Sequence, residues 1–270
     1  MIYKNLLDKI GNTPIIRFDT CQDSRIRGFI KLEGENPSGS VKDRPALALI
    51  KSKIQSGELN GDKTILDASS GSFACSVSMI GKILGYKVKV ITGYKMTEDK
   101  IAFIKYFGGN MVSHGNFTIE GNRYCREELL TKEPEKYCFL DQLHNWKNPQ
   151  AHYETTGPEI LRDLPNVSAV VFSLGSGGTL NGVSRYLREN KPDTKIIAVT
   201  ASTGVKIPGI GAFVDGDYST PFIDNSKSNK YFDYVAEVKY KDAVVRVKEL
   251  AKQGFFVGIQ TGAVYQGLLD

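Results

Sequence analysis

The chain has 270 residues, of which 41% are hydrophobic and 24% charged, and a net charge of +5. That length gives room for one large domain or two smaller ones, and the composition is that of a folded globular protein, not a disordered chain or a bare coiled coil. The excess positive charge is spread along the chain without a dense basic patch, so no nucleic-acid partner is expected, and the absence of a long apolar run argues against a membrane span.

Helical and strand patterns alternate from end to end. Residues 26–32 read as a strand and 44–56 as a helix that stops before Gly57. A short strand at 64–67 precedes a helix at 72–84, with Gly85 placed as its C-cap. Residues 88–92 form a β-branched strand, 98–107 a helix, 111–113 an extended piece and 122–132 a helix. The apolar run 169–174 has the character of a buried strand. It is followed by a helix at 179–189, a strand at 195–200, a helix at 241–253 and a final strand at 255–259. Alternation of this kind predicts an α/β protein with parallel-rich sheets flanked by helices. The polar, turn-rich stretch 215–230 reads as a surface excursion. A seam at 139–158, with Asn148-Pro149 and Gly157-Pro158, separates two halves. The expected partition is a smaller domain at 36–145 and a larger one made of 1–35 plus 146–270. Trp146 is expected to pack at that seam.

The N-terminal MIYKNLLDKIGNTP lacks the apolar core of a signal peptide. The cysteines at 21, 75, 125 and 138 form no CxxC pair, and only three histidines are present. A soluble protein of a reducing, cytoplasmic compartment is expected, without disulfides or a metal. Cys75 reads as core, and His114, His144 and His152 as hydrogen-bonded structural residues.

Three segments carry chemistry. Gly175-Ser176-Gly177-Gly178-Thr179 lies between an apolar strand and a helix, where backbone N–H groups can converge on an anion. It lacks the Gly-Lys-Ser/Thr ending of a Walker loop. Leu180 stands where a dinucleotide fingerprint needs glycine, so a single phosphate is the natural ligand. Such a loop can equally be a tight turn without ligand. In residues 35–44 a polar turn delivers Lys42 to a helix start, where the dipole favours the neutral amine that Schiff-base chemistry requires. Taken alone, a first-turn lysine is usually a solvated surface group. One phosphate plus one amine, however, is what pyridoxal phosphate requires. Third, Ser69-Ser70-Gly71-Ser72 opens a helix with more hydroxyls than a simple N-cap needs, which suits a carboxylate.

Together these segments resemble the cysteine synthase and cystathionine β-synthase family, the fold type II pyridoxal-phosphate enzymes related to the tryptophan synthase β subunit. The matching pieces include Ile10-Gly11-Asn12-Thr13-Pro14, residues 36–44, the glycine loop, Gln142 and HYETTGPEI at 152–160. Later matches are PGIGA at 208–212 and GIQTGA at 258–263. The resemblance implies two domains with pyridoxal 5′-phosphate in the cleft between them and Lys42 holding it as an imine. Gly175, Ser176, Gly177, Gly178 and Thr179 bind the phosphate, and Ser72 stands near the cofactor. Ser69, Ser70, Ser72, Gln142 and Gly211 face the amino-acid substrate. The implied activity is β-replacement through an aminoacrylate, most like cysteine synthesis from an O-activated serine and sulfide, in a homodimer. The alternatives are another nucleophile or substrate (giving cystathionine or a diaminopropionate-type product), a lyase releasing sulfide from cysteine, and a non-catalytic relative that only binds. The chain departs from the family's Ser-Gly-Asn at Ser72, and the adjacent Phe73 is expected to fill substrate space. The resemblance also implies a strand beyond the Gly-Ala motif whose serine contacts the pyridine nitrogen; no such segment lies between Ala263 and Asp270.

Overall fold

The computed structural model describes residues 2–20, 26–93, 96–211 and 219–270. Cys21 lies outside them. The chain divides into two compact units, Met1–Gly11 with Glu33–Ala151 and Asn12–Leu32 with His152–Asp270. The sequence places all of 1–35 with the larger domain; in the structure only Asn12–Leu32 of that segment groups with the second unit, Met1–Gly11 and the chain from Glu33 group with the first, and the division falls after Ala151. The second unit receives an early antiparallel pair, β1 (Ile15–Phe18) and β2 (Gly28–Lys31), with Ile16 opposite Ile30.

In the first unit, α1 (Asp43–Gln55) follows the polar turn, and Pro45 sits in its first turn, where no intrahelical N–H is needed. Ala46, Leu49 and Ile50 recur at helical spacing and are fully buried. Four parallel strands follow: β3 (Thr64–Ala68), β4 (Val88–Thr92), β5 (Asn110–Ser113) and β6 (Tyr137–Phe139), in the order β5-β4-β3-β6. Between β3 and β4 lies α2 (Ser72–Ile83). It is closed by Gly85 at φ +81°, with Tyr86 N donating to Gly81 O and Gly85 N to Lys82 O. That is a Schellman cap, which needs a residue free to adopt positive φ. α3 (Glu98–Tyr106) links β4 to β5. α4 (Thr118–Tyr124), a π turn and α5 (Leu130–Lys132) then form one helical stretch before β6, and α6 (Lys147–Ala151) ends the unit. Phe73, expected in substrate space, is instead 2% exposed and packed with Leu49, Ile65 and Val77, so its bulk fills this unit's core.

In the second unit, a π turn at His152–Thr156 leads into α7 (Gly157–Asp163). A parallel sheet follows, β7 (Ala169–Ser173), β8 (Lys195–Ala201) and β9 (Tyr234–Val238), in that order. β7 is half-buried along its length, not fully buried as its composition suggested. α8 (Gly178–Asn190) connects β7 to β8, and α9 (Pro221–Ser228) precedes β9. The surface excursion expected at 215–230 is corrected on its described part. Pro221–Ser228 is a helix capped by Thr220, with Phe222 and Ile223 fully buried. Residues 212–218 lie outside the described set.

After α10 (Tyr240–Lys252), the expected strand at 255–259 is an irregular segment leading into α11 (Ile259–Leu269). α11 packs against α10 and the sheet. Glycines make the approach possible: a Cβ at Gly262 would lie 2.2 Å from Ala243 O, and one at Gly267 would lie 2.5 Å from Val199 Cγ2. Trp146, expected to be packed, is 45% exposed, whereas Cys75 is buried as expected.

Candidate active site

Lys42 is the N-cap residue of α1, and the turn that delivers it is tightly tied within the first unit. Asn36 Oδ1 accepts from Gly11 N at 2.8 Å, and Arg44 grips Glu33 with two bonds of 2.7 Å. Ser38 N donates to Asp43 Oδ2 at 2.8 Å, and the Ser38 hydroxyl bonds the other oxygen of the same carboxylate. Lys42 N donates to Ser40 Oγ at 3.2 Å. Burial lowers the Lys42 ammonium from its ordinary value to about 8. A chain held this firmly fixes the position of Lys42 while leaving its amine readily deprotonated.

The serine loop follows β3 in the same unit. Ser69 Oγ accepts from Gly71 N and Ala74 N, both at 3.1 Å, so Ser69 supplies the N-terminal cap of α2. Its hydroxyl proton can still be donated. Ser70 is exposed, and Ser72 begins α2. Ser72 shares a cavity of about 280 Å3 with Ser38, Ser40, Cys75 and Lys100, which brings the serine loop beside the turn carrying Lys42. Burial pushes the Cys75 thiol up to about 11, so it is no nucleophile at neutral pH. Gln142 is buried; its Nε2 donates to Ala68 O at 2.6 Å, and its carbonyl accepts from Asn148 Nδ2 at 2.7 Å.

The glycine loop belongs to the second unit. Gly177 is the N-cap of α8 at φ +83°, and a Cβ there would meet Ile223 Cγ1 at 2.5 Å. A Cβ at Gly175 would lie 2.8 Å from Gly209 O. Only glycine fits either place. Thr220 Oγ1 donates to Ser176 O at 2.6 Å, which fixes the loop from α9, and Ser176 Oγ accepts from Gly178 N at 3.3 Å. Gly211 N donates to Leu174 O at 2.8 Å, so this expected substrate residue sits beside the strand that feeds the loop, with its N–H already bonded. Thr179 Oγ1 lies 3.2 Å from His152 Nε2, and His152 Nδ1 lies 3.0 Å from Thr156 Oγ1. His152 is hydrogen-bonded as expected, to Thr179 and Thr156, whereas Thr220 and Asp67 (described below) escape sequence reading, because a lone threonine or aspartate has no spacing signature. By contrast, His144 bonds Asp141 and Arg126, and His114 stacks on Tyr124.

These residues fit pyridoxal phosphate. The first turn of α8 holds no acidic side chain that would repel a phosphate, and the loop before it packs so closely on Gly209 and Ile223 that only glycine is accommodated at 175 and 177. Lys42 is the residue that would supply the amine. Residues 6–270 match the model of a family described as pyridoxal-phosphate dependent enzyme. The chain belongs to this family. Its cofactor is pyridoxal 5′-phosphate, and it is an enzyme, so nothing supports the binding-only reading.

Among members of the pyridoxal-phosphate dependent enzyme family, it is similar to cysteine synthase B of Escherichia coli, 32% identical over 267 residues covering 96% of this chain and 85% of the relative. It is 36% identical to cysteine synthase B of Pseudomonas aeruginosa over 77% of this chain and 70% of that one. A hydrogen sulfide-producing enzyme from Fusobacterium nucleatum superposes with a TM-score of 0.90 at 31% identity, covering 100% of this chain and 92% of its own.

Proposed function

We propose that the protein catalyses β-replacement on an amino acid, most like cysteine synthesis from an O-activated serine and sulfide. The observation that carries this reading is the amine of Lys42, lowered to about 8 at the start of α1, in a unit that also presents the serine loop and Gln142. Bound pyridoxal phosphate supplies an electron-withdrawing ring that stabilises negative charge at the substrate Cα. Lys42 carries the cofactor through its amino nitrogen. Once a substrate amine has replaced it, the freed Lys42 amine accepts the Cα proton and later returns one to the same carbon. The hydroxyls of Ser69 and Ser70, with the Gln142 amide, hold the substrate carboxylate and so direct the Cα–H bond towards Lys42. The N–H groups of 175–179 and the Thr179 hydroxyl would hold the phosphate, and Ser72 would contact the cofactor.

A second reading, release of sulfide from cysteine, is favoured by the similarity to the hydrogen sulfide-producing enzyme and by serine at position 72. A cytoplasmic homodimer, as the family resemblance implies, is part of this proposal. The deciding experiment supplies the holoenzyme with O-acetyl-L-serine plus sulfide, with homocysteine or an amine in place of sulfide, and with cysteine alone. Cysteine as the dominant product supports synthesis. Faster release of sulfide from cysteine replaces it with the lyase reading, and turnover of none of these overturns both.

A further inference from the structure

The parallel ladder between β3 and β6 is short. It pairs Thr64 with Tyr137, Ile65 with Cys138 and Leu66 with Phe139, and its last bond runs from Leu140 N to Leu66 O. Beyond that point the chain turns through Asp141 at φ +58° into Gln142. A side chain takes over where the backbone pairing stops. Asp67 is fully buried, its Oδ1 accepts from Ala68 N at 2.6 Å, and its Oδ2 accepts from Gln142 N at 3.1 Å. The Asp141 amide also favours its charged form. Ala68 in turn receives the Gln142 side chain on its carbonyl. One carboxylate therefore closes a ring through the residue that precedes the serine loop and the residue that bears the glutamine amide.

Among the described residues no cation pairs with Asp67. Burial and the nearby Asp141 carboxylate push its pKa well up, while the three amides pull it down. Asp141 is held elsewhere, by Asn122 Nδ2, Arg126 Nη2 and His144 Nδ1. A buried carboxylate without a cation is an expensive way to join two strand ends, because an apolar residue would pack there without desolvation. What it provides is direction: each oxygen fixes a different amide, and hence a different wall.

We infer that Asp67 is a positioning residue for substrate recognition, setting the distance between the Ser69–Ser70 wall and Gln142 and so the fit of the substrate carboxylate. This rests on the proposed carboxylate role of those residues. The test measures the holoenzymes of Asp67→Asn, Asp67→Ser and, as control, Gln142→Ala with O-acetyl-L-serine at saturating sulfide. Asp67→Asn should raise KM for the amino acid about tenfold or more, as misplacing a binding group does, with kcat within about twofold and the cofactor's visible band unchanged. In the Gln142→Ala background the same change should have much less effect, since its target is gone. If Gln142→Ala leaves KM unchanged, the carboxylate reading itself fails. If Gln142→Ala raises KM while Asp67→Asn does not, or if Asp67→Asn lowers kcat, cofactor affinity and stability together, the inference on Asp67 is overturned. Asp67→Ser, which keeps a small acceptor, is read in the same way. Failure of both variants to fold would make Asp67 a structural group of the strand end and would equally overturn the inference.

Discussion

His152 Nε2 stands 3.2 Å from the hydroxyl of Thr179, the last residue of the glycine loop, and the opposite ring nitrogen is bonded to Thr156. A fully buried imidazole between two threonines fixes the direction of the Thr179 hydroxyl before any ligand arrives.

Replacing Thr179 with alanine should therefore weaken cofactor binding more than it weakens the fold. A hydrogen bond to a charged group contributes roughly 1.5–3 kcal/mol, or about ten- to a hundredfold in affinity. The check is the dissociation constant of pyridoxal phosphate from the apoprotein; an unchanged value would remove Thr179 from the phosphate site.

Lys42→Ala should abolish borohydride-dependent covalent fixation of the cofactor while the protein still folds. Fixation persisting in the variant would assign the imine to another lysine.

The lowered pKa of Lys42 also gives stability a defined pH dependence. Its ordinary value is 10.5 and its folded value about 8. Between these values the unfolded chain holds a proton that the folded chain has released, so stability rises with pH across that window. Below pH 8 both states are charged and the burial penalty is complete. Apo Lys42→Met should thus melt above apo wild type at pH 7, with the gap closing towards pH 10.5. A gap independent of pH would show that the amine is not desolvated.

Gly177→Ala should destabilise the apoprotein by roughly 1–3 kcal/mol, because alanine is strained at positive φ. Its methyl must also displace the buried Ile223. Denaturant melts measure this, and an unchanged midpoint would contradict the close packing of the loop against α9.

Ser72→Asn tests reaction choice. Phe73 is committed to the core, so any tuning at this place falls to residue 72, which has open cavity beside it. Asparagine should alter the ratio of β-replacement to simple elimination, read as cysteine against pyruvate at matched cofactor occupancy. An unchanged ratio would make serine a neutral replacement here.

Much of the fold was legible because local and global signals agreed. β4 falls at Val88–Thr92 as read, and Gly85 closes α2 where a glycine after an apolar helix should. α11 was missed because Phe255-Phe256-Val257 mimics a strand. The helix itself is apolar around most of its circumference and broken by glycines, so it shows no amphipathic period, and what makes it a helix is close packing on α10. Phe73 was misjudged for a related reason: its position in sequence lies beside the site, but a helix sends successive side chains in different directions. The lysine and glycine-loop segments stand out in the sequence because their spacing is that of the chemistry proposed for them. Asp67 was not, since its role depends on where β6 stops, 70 and more residues later.

The strand pair at Asn12–Leu32 belongs to the second unit, and its lasting partners are made late. Phe18 meets the ring of Tyr265 edge-on at 5.0 Å, and Asp19 N bonds Gln253 across 234 positions of sequence. On a ribosome adding 5–20 residues each second, this early segment is made roughly ten seconds or more before the surface that completes it. In that interval a pair of strands too small to be stable alone must stay unpaired or be sheltered. The contacts that Asn12 and Lys31 make with Glu159 become available well before those with Gln253 and Tyr265, so the segment can be completed only in stages.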